Sequence, residues 1–137
     1  MSSFPSPRPI HHIGVAVHSL DDSAGVFELI SGETRSPTQT LESQGVRVTF
    51  IGSIELLEPL APDTTVGRFL ERRGQALHHV AFSTPDIEAE LARLEAAGAR
   101  LIDAAPRAGT HGYLVAFIHP ASTGGILTEL VQAIPTE

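Results

Sequence analysis

The sequence contains no cysteine, and its nine basic residues are all arginines, so lysine is absent as well. Without cysteine the chain cannot form disulfides, use a thiol as a nucleophile or build a zinc–thiolate site. Without lysine it cannot form a Schiff base or use a lysine as general base.

The sequence also lacks a long apolar run, and the N-terminal stretch MSSFPSPRP has no hydrophobic core. We therefore expect neither a membrane-spanning helix nor a signal peptide, and a cytoplasmic location. The formal net charge is −7, and the only basic cluster is Arg72-Arg73. Such a balance is unfavourable for contact with a nucleic-acid backbone, so we expect no nucleic-acid partner.

The 137 residues, 42% apolar and 18% charged, are typical of a single globular domain. A sequence repeat organises this chain. HHIGVAV at 11–17 is echoed by HHVAFST at 78–84, and each stretch alternates like a strand and precedes a helical pattern. We predict a flexible N-terminal segment at 1–9 and one domain at 10–133.

Capping signals define the helices of both repeats. The first helix is predicted to begin after Ser19 as N-cap and to stop at Gly32. The second is predicted to have Thr84 as N-cap and Pro85 at its first position, with Gly98 past its end.

Strand-like runs follow each helix, at 46–51 and 54–58 in the first half and at 113–118 and 126–131 in the second. A connecting helix is predicted between the halves, from Thr64 to Arg73. The pattern indicates an α+β fold of two tandem βαβββ modules, about 10–60 and about 76–132, joined by a linker helix at about 64–73. We expect the modules to form a cupped sheet around a metal site.

The period-2 rule assigns faces to the first strand of each module. Ile13, Val15 and Val17 should pack under the first helix, whereas His12, Gly14 and Ala16 should point the opposite way. The second copy repeats this, with Val80 and Phe82 facing the helix and His79, Ala81 and Ser83 facing away. A histidine followed by small residues leaves room for a ligand. His11 and His78 fall on the helix-packing face, so neither is predicted as a ligand.

Glu55 and Glu129 are charges within otherwise apolar strands, near the ends of the two halves. Burying an unpaired carboxylate costs several kcal/mol, so such a residue usually has a partner or a metal. A lone strand histidine is more often a hydrogen-bonded structural residue, and a lone strand glutamate more often a solvated one. The duplicated order, His12 then Glu55 and His79 then Glu129, favours a shared site for one divalent ion.

The chain resembles the methylmalonyl-CoA epimerases of the vicinal oxygen chelate superfamily, which has a glyoxalase-like fold. The resemblance extends from about Ile10 to Gln132, and the IELLEPL and HPASTGGILTELV blocks are its most specific parts. The motifs are HHIGVAV at 11–17, QGV at 44–46, IELLEPL at 54–60, VGRFLERRG at 66–74, LHHVAF at 77–82, GTHG at 109–112 and HPASTGGILTELV at 119–131.

The resemblance implies metal ligands at His12, Glu55, His79 and Glu129, the four residues reached above. Nitrogen and oxygen ligands admit several ions, and we expect Co²⁺ first, with Mn²⁺, Ni²⁺ or Zn²⁺ as alternatives. The substrate contacts that we expect are Gln44, His111, Gly112 and Ser122.

The implied reaction interconverts the (R)- and (S)-epimers of methylmalonyl-CoA through an enolate, on a homodimer whose partner is a small acyl-CoA. Glu129 is the leading candidate for the catalytic proton transfer and Glu55 the second. Some bacterial members carry a glutamate where this chain has Val48, so a second base is not assigned from that position.

Two alternatives stay open at the level of sequence. A glyoxalase I-type lactoylglutathione lyase has the same fold and similar ligands, and differs in acting on a glutathione hemithioacetal. A metal-free small-molecule binding or resistance protein of this fold would need an apolar cavity but no set of four ligands. A metal-dependent dioxygenase is disfavoured because two carboxylates do not match the usual iron facial triad.

Overall fold

The structure is a computed structural model and describes residues 6–133 of the chain. The predicted N-terminal segment 1–9 therefore lies outside the described residues over positions 1–5. The first half contains β1 (Ile10–Ala16), α1 (Leu20–Ser31), β2 (Gln39–Leu41), β3 (Val46–Ile51), β4 (Ile54–Pro59) and α2 (Thr65–Arg73). The second half contains β5 (Ala76–Ser83), α3 (Ile87–Ala96), β6 (Arg107–Ala108), β7 (Leu114–Ile118) and β8 (Thr128–Gln132). The predicted βαβββ order is confirmed in both halves.

Two compact units divide the described part of the chain, one made of residues 12–79 and the other of residues 6–11 and 80–133. In the first unit the strand order is β2-β3-β4-β1, with β1 parallel to β4 and the other pairs antiparallel. Gly52 and Ser53 form the turn between β3 and β4. Parallel pairing of β1 with β4 places His12 and Glu55 on neighbouring strands.

Helices α1 and α2 cover opposite faces of the first unit's strands. Val15 and Val17 pack with Leu20 and Ala24 of α1, as the alternation predicts. Ile13 does not join them and is 36% exposed, so its predicted burial under the helix is wrong. Ala16 packs on the other face, in a cluster with Phe69 of α2.

The predicted ends of α1 and α2 are confirmed. Ser19 Oγ accepts a hydrogen bond from the backbone N–H of Asp22 at 3.3 Å, and Gly32 ends the helix with φ 76°. Thr64 is the N-cap of α2 and accepts from the N–H of Gly67 at 3.0 Å. These signals are local, so the sequence alone carries them.

In the second unit the order is β5-β8-β7-β6, with β5 parallel to β8. Phe82 packs with Ile87 and Leu91 of α3, as predicted. The predicted N-cap at Thr84 is wrong. Asp86 is the N-cap, because its carboxylate accepts from the N–H of Ala89 at 3.1 Å.

Residues 8 and 9 are fastened to this second unit. Pro9 O accepts a hydrogen bond from the N–H of Ser83 at 2.9 Å. Arg8 lies 3.1 Å from the buried carboxylate of Glu90, which also pairs with Arg93 at 2.8 Å. Burial raises the pKa of Glu90, but hydrogen bonds from Arg93 and Arg8 outweigh it and lower that pKa overall.

None of the described helices combines the length and the apolar character of a membrane span.

Candidate metal centre

Two imidazole rings meet within the unit of residues 12–79. His12 on β1 is 3% exposed and His79 on β5 is 5% exposed. Their Nε2 atoms lie 3.1 Å apart, and the rings are nearly perpendicular at 88°. The edge of the His12 ring also faces Phe50, with ring centroids 5.5 Å apart. The structure therefore brings together the two histidines that the sequence predicts to share a site.

Glu55 completes a triangle with the two histidines. It pairs with Gly14 in the parallel register of β1 and β4, which puts its side chain on the face that carries His12. Its Oε1 lies 3.3 Å from Nε2 of His12 and 3.4 Å from Nε2 of His79. Burial raises the pKa of Glu55, but hydrogen bonds from His12 and His79 and their charges outweigh it and lower the pKa to about 2. Glu55 is therefore a carboxylate at neutral pH.

Gly14 provides the space for the His79 ring. A Cβ at position 14 would lie 2.1 Å from Cε1 of His79 and 2.4 Å from its Nδ1. No side chain fits at such distances, so the ring takes the volume that any other residue would fill. The small residue two positions after His12 is thus a requirement of the site, in line with the sequence argument.

The triangle fits a divalent ion. Ligand bonds of about 2.0–2.2 Å place neighbouring ligand atoms roughly 2.8–3.1 Å apart in octahedral sites and roughly 3.3–3.6 Å apart in tetrahedral sites. The three observed separations lie between 3.1 and 3.4 Å. Two imidazole nitrogens and one carboxylate oxygen are also the donors that such ions accept. The residues of this unit therefore suit a divalent metal.

Glu129 occupies the matching position in the other unit. It lies on β8, is 6% exposed and pairs with Ala81 of β5 in a parallel register. Ala81 follows His79 by two residues, as Gly14 follows His12. The register of Glu129 in its unit therefore repeats that of Glu55, as the duplicated sequence predicts.

His78 was not predicted to belong to the site, yet it contacts His79, a predicted ligand. Its Nδ1 lies 2.9 Å from Nδ1 of His79, and its ring meets the ring of Phe69 at a centroid distance of 4.9 Å. Strict alternation assigns adjacent strand residues to opposite faces and so hides a contact between two neighbouring rings. The doubled histidine at 78–79 was the available signal.

The four expected substrate contacts lie in loops. Gln44 is half-buried in a short 3₁₀ turn at Glu42–Gln44. His111 and Gly112 are exposed in another turn, where His111 has φ 59°. Ser122 Oγ accepts a hydrogen bond from the N–H of Arg100 at 2.7 Å, so part of its bonding capacity serves the fold.

Comparison with known proteins assigns the class. The Glyoxalase/Bleomycin resistance protein/Dioxygenase superfamily matches residues 11–117, most of the chain. The chain therefore belongs to this superfamily, whose fold agrees with the paired βαβββ halves.

Individual relatives narrow the assignment. The chain is 41% identical over 127 residues to the uncharacterised protein YqjC of Bacillus subtilis, covering 90% of this chain and 91% of that one. It is 35% identical over 129 residues to the ethylmalonyl-CoA/methylmalonyl-CoA epimerase of Cereibacter sphaeroides, covering 90% and 96%. A solved methylmalonyl-CoA epimerase in complex with methylmalonyl-CoA and NH4+ is similar with a TM-score of 0.90 and 35% identity, covering 96% and 99%. Within the superfamily, this chain belongs to the methylmalonyl-CoA epimerase family.

Proposed function

We propose that this protein is an isomerase that interconverts the (R)- and (S)-epimers of methylmalonyl-CoA. The observation that carries the proposal is the buried triangle of His12, His79 and the ionised Glu55, in a chain of the epimerase family. The relative from Cereibacter and the solved complex act on or bind the same thioester, which supports an acyl-CoA substrate.

The proposed ligand set is His12, Glu55, His79 and Glu129. Three of these converge within the unit of residues 12–79, and Glu129 holds in its own unit the register position that Glu55 holds there. Two carboxylates balance the charge of a divalent ion and leave positions open for substrate oxygens. We propose Co²⁺, with Mn²⁺, Ni²⁺ or Zn²⁺ as alternatives. When bound, the ion would supply a Lewis acid at the oxygens of the substrate.

Proton transfer is assigned to Glu129 first. Epimerisation breaks the C–H bond between the thioester and the carboxylate, its electron pair passes into an enolate, and the proton goes to a base. A base with a pKa of about 2 is weak at neutral pH, so Glu55 is better suited to holding charge than to removing this proton. We therefore propose Glu129 as the first candidate for removing the proton and keep Glu55 as the second.

Val48 does not supply a second base. It is 1% exposed and packs in the apolar cluster with Val66 and Phe69 of α2. A proton must still return to the opposite face of the enolate for inversion to occur. We propose that a water oriented by Glu55 returns this proton, because the ionised carboxylate of Glu55 has none to give.

The remaining parts of the proposal concern substrate contacts and setting. Gln44, His111, Gly112 and Ser122 are proposed to contact the acyl-CoA, since all four lie in loops rather than in the packed strands. We further propose a cytoplasmic homodimer, the usual assembly of a small enzyme.

Deuterium exchange tests the proposal directly. The metal-loaded protein is incubated with methylmalonyl-CoA in heavy water, and loss of the α-proton signal is followed by NMR. We expect fast exchange that stops on chelation and falls at least about a hundredfold in Glu129→Gln, the range of a lost general base. Exchange that is absent despite bound metal, together with turnover of methylglyoxal and glutathione, would replace the epimerase by a glyoxalase I-type enzyme. Full exchange in Glu129→Gln would overturn the role of that residue alone.

A further inference from the structure

A metal-binding histidine needs its second ring nitrogen to be occupied. A ring that offers the Nε2 lone pair to an ion carries its proton on Nδ1, and that N–H is held by a neighbouring acceptor. The acceptor fixes both the tautomer and the orientation of the ring. In this protein the Nε2 of His79 faces His12 and Glu55. Its Nδ1 is therefore the nitrogen that a neighbouring acceptor would have to hold.

The Nδ1 of His79 meets a neighbouring imidazole nitrogen. Nδ1 of His78 lies 2.9 Å away, a normal hydrogen-bond length, and the two rings are nearly perpendicular at 86°. Only one of these two nitrogens can carry the shared proton. If His79 carries it, its Nε2 can offer a lone pair to an ion held together with His12 and Glu55.

The His78 ring is itself held in place. It is half-buried and packs against Phe69 of α2 in a T-shaped arrangement. The ring centroids are 4.9 Å apart and the ring planes make an angle of 77°. Phe69 is 8% exposed and belongs to the apolar cluster under α2. Packing therefore restricts the rotation of His78, while Gly14 on the other side leaves room for His79.

We propose that His78 is a positioning residue for the metal centre: its Nδ1 accepts a hydrogen bond from Nδ1–H of His79 and so directs the Nε2 of His79 toward the ion. This inference rests on the proposed metal site. It assigns to an otherwise unused histidine the role that a carboxylate, carbonyl or water fills in many metal sites. It also explains why a polar ring, rather than an aliphatic side chain, packs against Phe69.

Two substitutions of nearly equal shape separate this role from packing. His78→Asn keeps an acceptor close to the position of Nδ1, whereas His78→Leu keeps the bulk and removes the acceptor. We expect zinc affinity, measured by competition with a chromophoric chelator at fixed pH, to fall about 10–100-fold in His78→Leu, the usual loss on removing such a partner. His78→Asn should stay within about threefold of the unmodified protein, since its acceptor remains.

NMR of histidine ¹⁵N supplies a readout that packing does not affect. In the zinc-loaded unmodified protein we expect the proton of His79 on Nδ1, protected from exchange with water, and we expect that protection to be lost in His78→Leu. A proton on Nε2 of His79, or equal zinc affinities in the Asn and Leu variants, would overturn the role of His78. Failure of the unmodified protein itself to bind zinc or cobalt would instead remove the proposed metal site, and the proposed function with it.

Discussion

At the scale of single residues, Gly14 leaves space for the ring of His79, a proposed metal ligand, because it has no side chain. Gly14→Ala would place a methyl group 2.1 Å from Cε1 of His79, so either the ring or the strand must move. We expect metal affinity to fall at least about tenfold, as when a ligand loses its orientation. Competition with a chelator measures the affinity, and thermal unfolding of the metal-free protein measures the strain.

Gly25 is the matched control for this substitution. It lies inside α1, and a Cβ built there would meet nothing within 4 Å. Because alanine favours the helix over glycine by about 1 kcal/mol, Gly25→Ala should keep metal affinity and raise stability slightly. Equal metal affinity in the two alanine variants would show that the space at position 14 is not required.

The second prediction at this scale concerns Glu55 and acid. Its folded pKa of about 2 lies below the usual 4.5, so its contribution to stability is complete above pH 4.5 and is lost as the pH falls toward 2. A shift of this size corresponds to about 3 kcal/mol at neutral pH. In Glu55→Gln without metal, we expect the free energy of unfolding to fall less over this pH range.

Urea unfolding at several pH values, with chelator present, measures this difference. Glu90 also has a lowered pKa and titrates in the same acidic direction, but it is present in both proteins, so the comparison isolates Glu55. Parallel stability curves for the two proteins between pH 5 and about 2.5 would show that Glu55 is not held ionised by the histidines.

The candidate residues could be proposed from the sequence because the same order, a histidine and then a glutamate, occurs in both halves of the chain. His12, His79, Glu55 and Glu129 sit at equivalent points of two halves, and alternation alone assigns their faces. The contact between His78 and His79 could not be predicted in this way, since it depends on ring orientations rather than on strand period. The exposure of Ile13 could not be predicted for a similar reason. Alternation tells on which face of the strand a side chain lies, but not whether another element covers it there.

At the scale of elements, the start of α3 provides a test of helix capping. Asp86→Ala removes the carboxylate that accepts from the N–H of Ala89 at 3.1 Å. We expect a loss of about 1 kcal/mol in the free energy of unfolding, measured by urea denaturation. Asp86→Asn retains an acceptor and should change stability by only a few tenths of that amount. Should Thr84→Ala cost more than Asp86→Ala, the original assignment of Thr84 as N-cap would regain support.

Helix ends and the central strands could be predicted because their signals are local. Ser19, Gly32 and Thr64 all act at the positions where the sequence places them. The short strands β2 and β6 could not be located, since three and two residues carry too little periodicity and are defined by the partners they pair with. The prediction of Thr84 as N-cap was wrong because proline at position 85 suits the first position of a helix, whereas α3 begins two residues later, at Ile87.

At the scale of the whole molecule, metal should stabilise the fold. An ion that binds only the folded chain adds about 4 kcal/mol at a thousandfold excess over its dissociation constant. For a chain of this length that gain raises the unfolding temperature by roughly 10 °C. Differential scanning fluorimetry over a cobalt titration, with and without chelator, measures the shift. A variant with both His12 and His79 replaced by alanine should show none of it, and an undiminished shift there would place the ion elsewhere.

The close approach of the His79 ring to Gly14 also bears on how this position varies during evolution. Every one of the other amino acids brings a Cβ, so none is a conservative exchange at this point. A mutational scan should therefore show position 14 to be as intolerant as His12. Surveys of natural variation would then rank it among functional residues, although it has no side chain with which to bind a ligand. Selection here preserves the space that the His79 ring occupies.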